Sequence, residues 1–255
     1  MNAIILSSVD KVIRKSGETD QNFALASVTK LFAAYAALIA VDRHLVDLDE
    51  EAGPATVRHL LGHTSGLPFE GEKTVSEPGK RRIYSNVGFD VLGEHIAGKV
   101  GVSFQEWIEE TVLEPLALSS ILIEGSPADS GEGNADDVLA FGRELLSPTL
   151  LSEELYEEAT STSFGDLSGV LPGYGRQENN AWGLGFEIKA QKRPHWLGES
   201  FSPSAFGHFG QSGSFLWVDP EAQLTGAYLG EEKFGKTHIE KWPGLTDKMR
   251  AGEEF

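Results

Sequence analysis

One long apolar segment constrains this chain more than any other feature of its sequence. From Phe23 to Val41 nearly every residue is apolar, and Lys30 is the only charged one. The segment approaches the roughly 20 residues that a membrane-spanning helix needs. However, Ser27, Thr29 and Lys30 lie together, alanine dominates, and no second such segment occurs. The sequence therefore predicts a helix buried in the core of a globular protein rather than a membrane span.

The single lysine follows a serine by three residues. On a helix, residues i and i+3 lie on the same face, so the side chains of Ser27 and Lys30 can meet. A serine hydroxyl is a weak nucleophile until a base takes its proton. Burial in apolar surroundings lowers the pKa of a lysine amine, which allows it to be that base. In the competing interpretation, Lys30 extends to the surface and Ser27 only starts the helix.

The composition excludes several classes of function. Asp and Glu number 39 against 21 Lys and Arg, and the resulting net charge of -18 repels phosphate backbones and anionic lipid. We therefore expect neither nucleic-acid nor membrane binding. The chain has no cysteine, which excludes disulfides, thiolate metal sites and thiol nucleophiles. The apolar stretch Ala3–Leu6 is too short for a secretory signal, so we predict a cytoplasmic protein.

The spacing of apolar residues changes along the chain. Helical spacing covers the middle, over residues 56–62, 88–99, 103–113 and 136–146. Strand-like alternation marks the last third, at residues 182–189, 214–218 and 224–229. This order predicts an α+β fold. Residues 1–45 and 151–255 would form one α/β subdomain from both chain ends, residues 46–150 would form a helical subdomain, and the active site would lie between them.

Two further short motifs carry polar chemistry. Tyr84-Ser85-Asn86 follows a basic stretch; a tyrosine beside a lysine can relay a proton, and an asparagine amide can hold a carbonyl group. The segment from Gly207 to Phe215 places small residues at the start of a strand. Glycine at that place lets a substrate approach the backbone closely.

Taken in order, four motifs resemble those of the serine β-lactamase and penicillin-recognising superfamily. They are Ser27-x-x-Lys30, Arg58-His59-Leu60-Leu61-x-His63-x-Ser65-Gly66-Leu67, Tyr84-x-Asn86, and His208-x-Gly210 ahead of a Gly-Ser-Phe strand. The set looks closest to the class C-like branch, which also holds family VIII-type esterases and D-amino-acid peptidases, and the match spans about residues 23–230. The resemblance implies an antiparallel sheet flanked by helices in three αβα layers, with an inserted all-helical subdomain.

The resemblance also implies a serine hydrolase that works through an acyl-enzyme and needs no metal or other cofactor. Ser27 would be the acylated nucleophile and Lys30 its base. Tyr84 would help to activate Ser27 and later a water or an alcohol. No Glu-x-x-x-Asn pattern occurs between Tyr84 and His208, so deacylation would use Tyr84.

The predicted substrate-binding residues are Asn86, Trp182, His208, Gly210 and Gln211. Asn86 would contact the substrate carbonyl, and the backbone amides of Ser27 and Gln211 would form the oxyanion hole. Trp182 has two open interpretations, a core position in a strand or a wall of the substrate pocket.

His208 departs from the superfamily pattern, because many relatives have Lys-Thr-Gly where this chain has His208-Phe-Gly210. A histidine near its reference pKa of ~6.5 is mostly neutral at pH 7 and offers no fixed charge to a substrate carboxylate. We therefore expect weak β-lactamase and D,D-peptidase activity. The predicted partner is a small ester or amide without an essential carboxylate. The sequence indicates no oligomeric state.

Three alternatives stay open from the sequence. His59 and His63 have the spacing of metal ligands on a helix, although the glutamate of His-Glu-x-x-His is missing. Ser212 lies near an imperfect Gly-x-Ser-x-Gly pattern and could pair with a histidine. Finally, the chain could be a catalytically inactive sensor or binding protein on the same scaffold.

Overall fold

The computed structural model describes residues 1–254. Its strands are β1 (Asn2–Ser7), β2 (Val12–Gly17), β3 (Phe23–Ala24), β4 (Glu51–Ala52), β5 (Ala55–Thr56), β6 (Leu122–Ile123), β7 (Gly131–Gly133), β8 (Gly169–Leu171), β9 (Gly175–Gln177), β10 (Glu187–Ile188), β11 (Phe206–Gly210), β12 (Ser214–Asp219) and β13 (Leu224–Gly230). Its α-helices are α1 (Thr29–Asp42), α2 (Val57–Leu61), α3 (Asn86–Val100), α4 (Phe104–Ile108), α5 (Ala135–Leu146), α6 (Glu153–Ala159) and α7 (Lys236–Arg250).

A six-stranded antiparallel sheet organises the molecule. Its strand order is β10-β11-β12-β13-β1-β2. Strands β1 and β2 come from the N-terminal end and the other four from the C-terminal third. The two groups join where β1 pairs with β13, from Asn2 opposite Gly230 to Ser7 opposite Thr225. Both chain ends therefore build one sheet, as the sequence predicted.

The two faces of this sheet bury different apolar clusters. Successive side chains of a strand point to opposite faces, and in β1 Ala3 and Ile5 belong to the cluster that contains α1 and α5. Ile4 and Leu6 belong to the second cluster, which contains Trp242 of α7. Helices thus cover the sheet on both sides, and the predicted three-layer αβα fold is confirmed.

Helix α1 is buried along nearly its whole length, as its apolar sequence predicts. All its residues from Thr29 to Ala40 are buried, and Trp107 of α4 donates from Nε1 to the Ala36 carbonyl at 2.9 Å. Among the described residues, none of the helices combines the length and the hydropathy required for crossing a bilayer. The division into subdomains at residues 46 and 150 stays a prediction, as does the cytoplasmic location.

One predicted strand is largely wrong. Alternation predicted a strand over residues 182–189, but only β10 at Glu187–Ile188 is extended. The preceding residues form a turn in which Gly183 N donates to Phe186 O at 2.9 Å. Gly185 has φ +92°, and a Cβ there would overlap Ala34 of α1. The turn therefore packs directly on α1, which a strand at this place could not do.

Candidate active site

Ser27 lies in a tight turn that joins β3 to α1. The turn is a 3-10 helix over Ala26–Val28, so α1 begins two residues later than the serine. Ala26 has φ 44°, in the left-handed region that residues other than glycine rarely adopt. Thr29 stabilises the turn, because its Oγ1 donates to Ala26 O at 2.5 Å and accepts from Gly131 N at 2.9 Å. The turn thereby holds Ser27 at the lining of a cavity.

The Lys30 amine is completely buried and touches three oxygen atoms. Its Nζ lies 3.4 Å from Ser27 Oγ. It donates to Asn86 Oδ1 at 2.6 Å and to the Ala128 carbonyl at 2.9 Å. The predicted contact between Ser27 and Lys30 is therefore present, and the alternative in which Lys30 extends to the surface is wrong.

Burial also changes the protonation of this amine. Burial lowers the pKa of Lys30 to about 7, although the negative charges of Asp129 and Asp90 act in the opposite direction. A neutral amine has two hydrogens and one lone pair. The carbonyl oxygens of Asn86 and Ala128 can only accept, so they take the two hydrogens. The lone pair is then left for the hydroxyl of Ser27, which is the arrangement a general base requires.

Tyr84 lies over the same amine. The centre of its ring is 4.7 Å from Lys30 Nζ. Its hydroxyl is buried without a hydrogen-bond partner in the part of the chain that the structure describes. Burial raises the pKa of Tyr84, and the nearby Ser27 hydroxyl opposes this shift in part. The phenol is therefore neutral at pH 7 and free to donate to, or accept from, a molecule in the cavity that it lines with Ser27.

The contacts of Asn86 differ from the substrate contact that the sequence predicted. Its Oδ1 accepts from Lys30, and its Nδ2 donates to Asp129 Oδ2 at 3.1 Å. Both ends of the amide are thus engaged inside the protein, and the residue orients the lysine. Contact with a substrate carbonyl stays a prediction. Sequence reasoning missed Asp129 and the Ala128 carbonyl, which lie in a loop whose only signal was its polar, glycine-rich composition.

His208 of β11 is a buried neutral acceptor. Its Nδ1 lies 2.6 Å from the Phe209 carbonyl, which can only accept, so Nδ1 carries the proton. Burial, with a smaller effect of Lys30, lowers the pKa of His208 to about 3. Nε2 therefore has a free lone pair, and no group within residues 1–254 donates to it. The rings of Tyr84 and Trp182 pack around it at 5.6 and 5.5 Å between centres.

Gly210 ends β11 directly against the Ser27 turn. A Cβ at Gly210 would overlap the Leu25 carbonyl and lie 3.1 Å from Ser27 N. The glycine is therefore required by the turn itself, apart from any approach of a substrate. Gln211 follows and lines the cavity together with Ser27. This proximity agrees with the predicted oxyanion hole, whose two amides stay a prediction.

The cavity has a volume of about 220 Å³. It is lined by five predicted residues, Ser27, Tyr84, Trp182, His208 and Gln211. Its other lining residues are mostly apolar, among them Phe69, Leu171 and Pro172, and include the buried Glu187. Trp182 is buried and forms a wall of the cavity, which agrees with the second interpretation, but it lies before β10 and not in a strand.

The competing sites find no support in the geometry. Helix α2 ends at Leu61, and His59 binds Thr56 at the start of its own helix, with Nδ1 2.7 Å from Oγ1. His63 instead accepts from Ser85 N at 3.1 Å, and its ring packs beneath Tyr84. Residues 1–254 contain no group of three or more potential ligands that could hold a metal ion. Across the same residues, the Ser212 hydroxyl is buried without any hydrogen-bond partner, histidine included.

Comparisons with known proteins agree with the geometry. Residues 14–246 match the model of the family described as Beta-lactamase. The solved structure of a β-lactamase from Mycobacterium bovis is 43% identical, with a TM-score of 0.96 over 98% of this chain and 94% of that one. Simvastatin synthase from Aspergillus terreus shares the fold at 17% identity, with a TM-score of 0.80 over 98% of this chain and 90% of that one.

A curated relative matches over a shorter stretch. The D-alanyl-D-alanine-carboxypeptidase/endopeptidase AmpH from Escherichia coli (strain K12) is 23% identical over 176 residues. The match covers 50% of this chain and 46% of that protein. This chain thus accounts for less than half the length of that relative.

Proposed function

We propose, from the premise that this chain belongs to the β-lactamase family, that it is a serine hydrolase that cleaves an ester or amide through an acyl-enzyme on Ser27. One observation carries the proposal. The carbonyl oxygens of Asn86 and Ala128 hold the two hydrogens of the Lys30 amine, and Ser27 Oγ lies 3.4 Å from the same nitrogen. The lysine is therefore oriented to remove the hydroxyl proton.

Acylation follows from this arrangement. Neutral Lys30 takes the proton of Ser27 while Oγ forms a bond to the substrate carbonyl carbon. The amides of Ser27 and Gln211 would stabilise the negative oxygen that develops on the substrate. The bond to the leaving group then breaks, and the leaving group takes the proton that Lys30 holds. Lys30 is neutral again, and the acyl group is attached to Ser27.

Deacylation uses Lys30 again and adds Tyr84 as a proton relay. A water or an alcohol replaces the leaving group and attacks the acyl carbon, and its proton passes to Lys30 through the Tyr84 hydroxyl. Because burial raises the pKa of Tyr84, the phenol accepts one proton as it donates another and does not have to exist as a phenolate. Lys30 then returns this proton to Ser27 Oγ as the bond between Ser27 and the acyl group breaks, and the amine is neutral again.

The neutral His208 sets a preference among substrates. Its Nε2 lone pair would repel a carboxylate placed beside the scissile carbonyl, as in β-lactams and peptidoglycan stems. We therefore propose that simple esters and amides are better substrates and that β-lactamase activity is weak. β-Lactam hydrolysis is the second candidate, because the Mycobacterium bovis structure at 43% identity is described as a β-lactamase.

Two substrates distinguish these candidates. We expect the purified protein to hydrolyse short-chain p-nitrophenyl esters faster than a chromogenic cephalosporin. A faster reaction with the cephalosporin would reverse the proposed preference while leaving Ser27 as the nucleophile. Ser27→Ala should abolish whichever activity is found, which ties the reaction to this site.

A fluorophosphonate probe tests the nucleophile independently of the substrate. We expect intact-mass analysis to show one adduct on the wild-type protein and on Ser212→Ala, and none on Ser27→Ala. Peptide mapping should place the adduct on the peptide that contains Ser27. An inactive binding protein would form no adduct, and an enzyme that uses Ser212 would lose labelling in the Ser212→Ala variant instead.

A further inference from the structure

A second groove continues the catalytic cavity toward the surface. Its volume is about 590 Å³, and it shares Phe69, Tyr84 and Pro172 with the cavity above Ser27. Val75 and Val170 line it with 55% and 59% of their surface exposed. These are among the most exposed large apolar side chains in the described part of the chain. A molecule bound at Ser27 can thus extend along an apolar surface.

The charge of this groove is opposite to that of the whole protein. Arg81, Arg82 and Arg176 line it, and none of its lining residues is acidic. The chain as a whole carries 39 acidic residues against 21 Lys and Arg. Three arginines without a carboxylate therefore form a local positive region on a strongly negative molecule.

Arg82 provides a buried charge that no carboxylate of the described residues neutralises. Its side chain is 2% exposed. Its guanidinium donates to the carbonyls of Gly62, Asn180 and Ser163, which are all uncharged. Burial lowers the pKa of Arg82 to about 10, so the group is still protonated at pH 7. A buried cation with only neutral partners favours an anion nearby.

Arg81 and Arg176 add two exposed cations at the same groove. Neither side chain forms an ion pair or a hydrogen bond to any residue between 1 and 254, whereas Arg58, Arg193 and Arg250 each bind a carboxylate. A guanidinium matches the two oxygens of a carboxylate or a phosphate. Both arginines are therefore available to a ligand.

We infer that this groove binds an anionic group at the far end of the substrate, a carboxylate or a phosphate, which an apolar spacer joins to the carbonyl attacked by Ser27. The inference rests on the proposed function and adds the class of substrate to it. The spacer would lie on Phe69, Val75 and Val170. His208 disfavours a negative charge beside the scissile bond, and the arginines favour one at the other end of the molecule. The site would thus select substrates by the position of their charge.

Matched esters test the groove. We compare three p-nitrophenyl esters that differ only in their terminal group. The group is a carboxylate in the first, its methyl ester in the second and a phosphate in the third. The measurement is the ratio of kcat/KM for each anionic ester to that of the neutral one. We expect the wild type to prefer an anionic ester and the preference to decrease as salt rises. The anionic ester with the larger ratio shows whether the groove prefers a carboxylate or a phosphate.

Arginine variants connect the ratio to the groove. We expect Arg81→Gln and Arg176→Gln each to reduce the ratio by about fivefold, and the double variant to reduce it further. Arg193→Gln is the matched control, because it removes the same charge from an exposed arginine that is paired with Glu199. It should keep the wild-type ratio. A double variant with the wild-type ratio would overturn the inference.

Binding to Ser27→Ala separates this inference from the proposed function. Calorimetry with the three esters on that variant measures affinity without turnover. If an anionic ester binds more tightly, and this preference is lost when Arg81 and Arg176 are also replaced, the inference about the groove is supported. If the wild type nevertheless hydrolyses none of the esters, only the proposed function fails. If hydrolysis depends on Ser27 but all three esters bind equally well, the inference about the groove is overturned and the proposed function stands.

Discussion

Lys30 Nζ donates a hydrogen bond to Asn86 Oδ1 at 2.6 Å. This contact is the shortest of the three that the amine makes with oxygen atoms. It fixes one hydrogen, and the Ala128 carbonyl fixes the other. The direction of the remaining lone pair toward Ser27 is therefore set by residues that do not have to react themselves.

The rate of ester hydrolysis should depend on the ionisation of Lys30. Burial places the pKa of Lys30 at about 7, and only the deprotonated amine can take the Ser27 proton. We therefore expect kcat/KM for a neutral ester to be low at pH 5.5 and to rise through pH 7 to a plateau. The pKa of His208 is about 3, so that residue stays neutral over this range and does not contribute.

The pH measurement needs two controls. Hydrolysis by Ser27→Ala gives the background at each pH, and circular dichroism confirms that the protein stays folded. A kcat/KM that is constant between pH 5.5 and 8.5 would show that Lys30 is not the base.

Asp129 should control the position of this pH dependence. Its negative charge raises the pKa of Lys30, so replacing it by a neutral residue should lower that pKa further. Asp129→Asn is suitable because the new amide oxygen can still accept from Asn86 Nδ2. We expect the rise in kcat/KM to move to lower pH, and the activity at pH 6, as a fraction of the plateau, to increase about threefold.

A nearby acidic residue provides the comparison for this variant. Glu132 is exposed in β7, three residues further along the chain. Glu132→Gln should leave the pH profile where it is. A shift of the Asp129→Asn profile to higher pH would contradict the role that we assign to this carboxylate.

The apolar sequence around Lys30 predicted the most important property of the site. A helix that is buried on all sides leaves no route for a lysine to reach water, and α1 is indeed buried from Thr29 to Ala40. The positions of Ser27, Tyr84 and His208 around one cavity also agree with the motifs that marked them. These residues could be predicted because their chemical roles require particular side chains, which the sequence shows directly.

Other parts of the site have no side-chain signal in the sequence. The Ala128 carbonyl that binds Lys30 is a backbone group, and any residue type would supply it. The engagement of Asn86 by Lys30 and Asp129 depends on the path of a loop. The turn before β10 was not predicted, because the alternation of its apolar residues resembles that of a strand. Its shape is determined instead by the close packing of Gly185 on Ala34.

Gly210 should tolerate no side chain. A Cβ at this position would overlap the Leu25 carbonyl and press on the amide of Ser27, so the Ser27 turn would have to move. We expect Gly210→Ala to lower kcat/KM by at least about tenfold, because a displacement of about 1 Å at a reacting group has a cost of that order or more. The melting temperature should fall as well.

Gly98 in α3 is the matched control for this substitution. A Cβ at Gly98 would meet no atom within 4 Å. Alanine there should stabilise the helix by about 0.5–1 kcal/mol and leave kcat/KM unchanged. Equal activities of Gly210→Ala and Gly98→Ala would show that the contact with the Ser27 turn does not limit catalysis.

Tyr35 should matter for stability and not for the reaction. Its hydroxyl donates to Glu144 Oε1 at 2.6 Å, and both side chains are buried between α1 and α5. Tyr35→Phe leaves the buried Glu144 carboxylate with one hydrogen bond fewer. We expect the free energy of unfolding, measured by urea denaturation, to fall by about 1–3 kcal/mol. Tyr228→Phe is the comparison, because within residues 1–254 its hydroxyl makes only an exposed contact, 3.4 Å from Asn2 Nδ2. It should lose less than about 0.5 kcal/mol, and kcat/KM should be unchanged in both variants. Equal losses in the two would show that the buried contact with Glu144 contributes nothing beyond an ordinary surface hydroxyl.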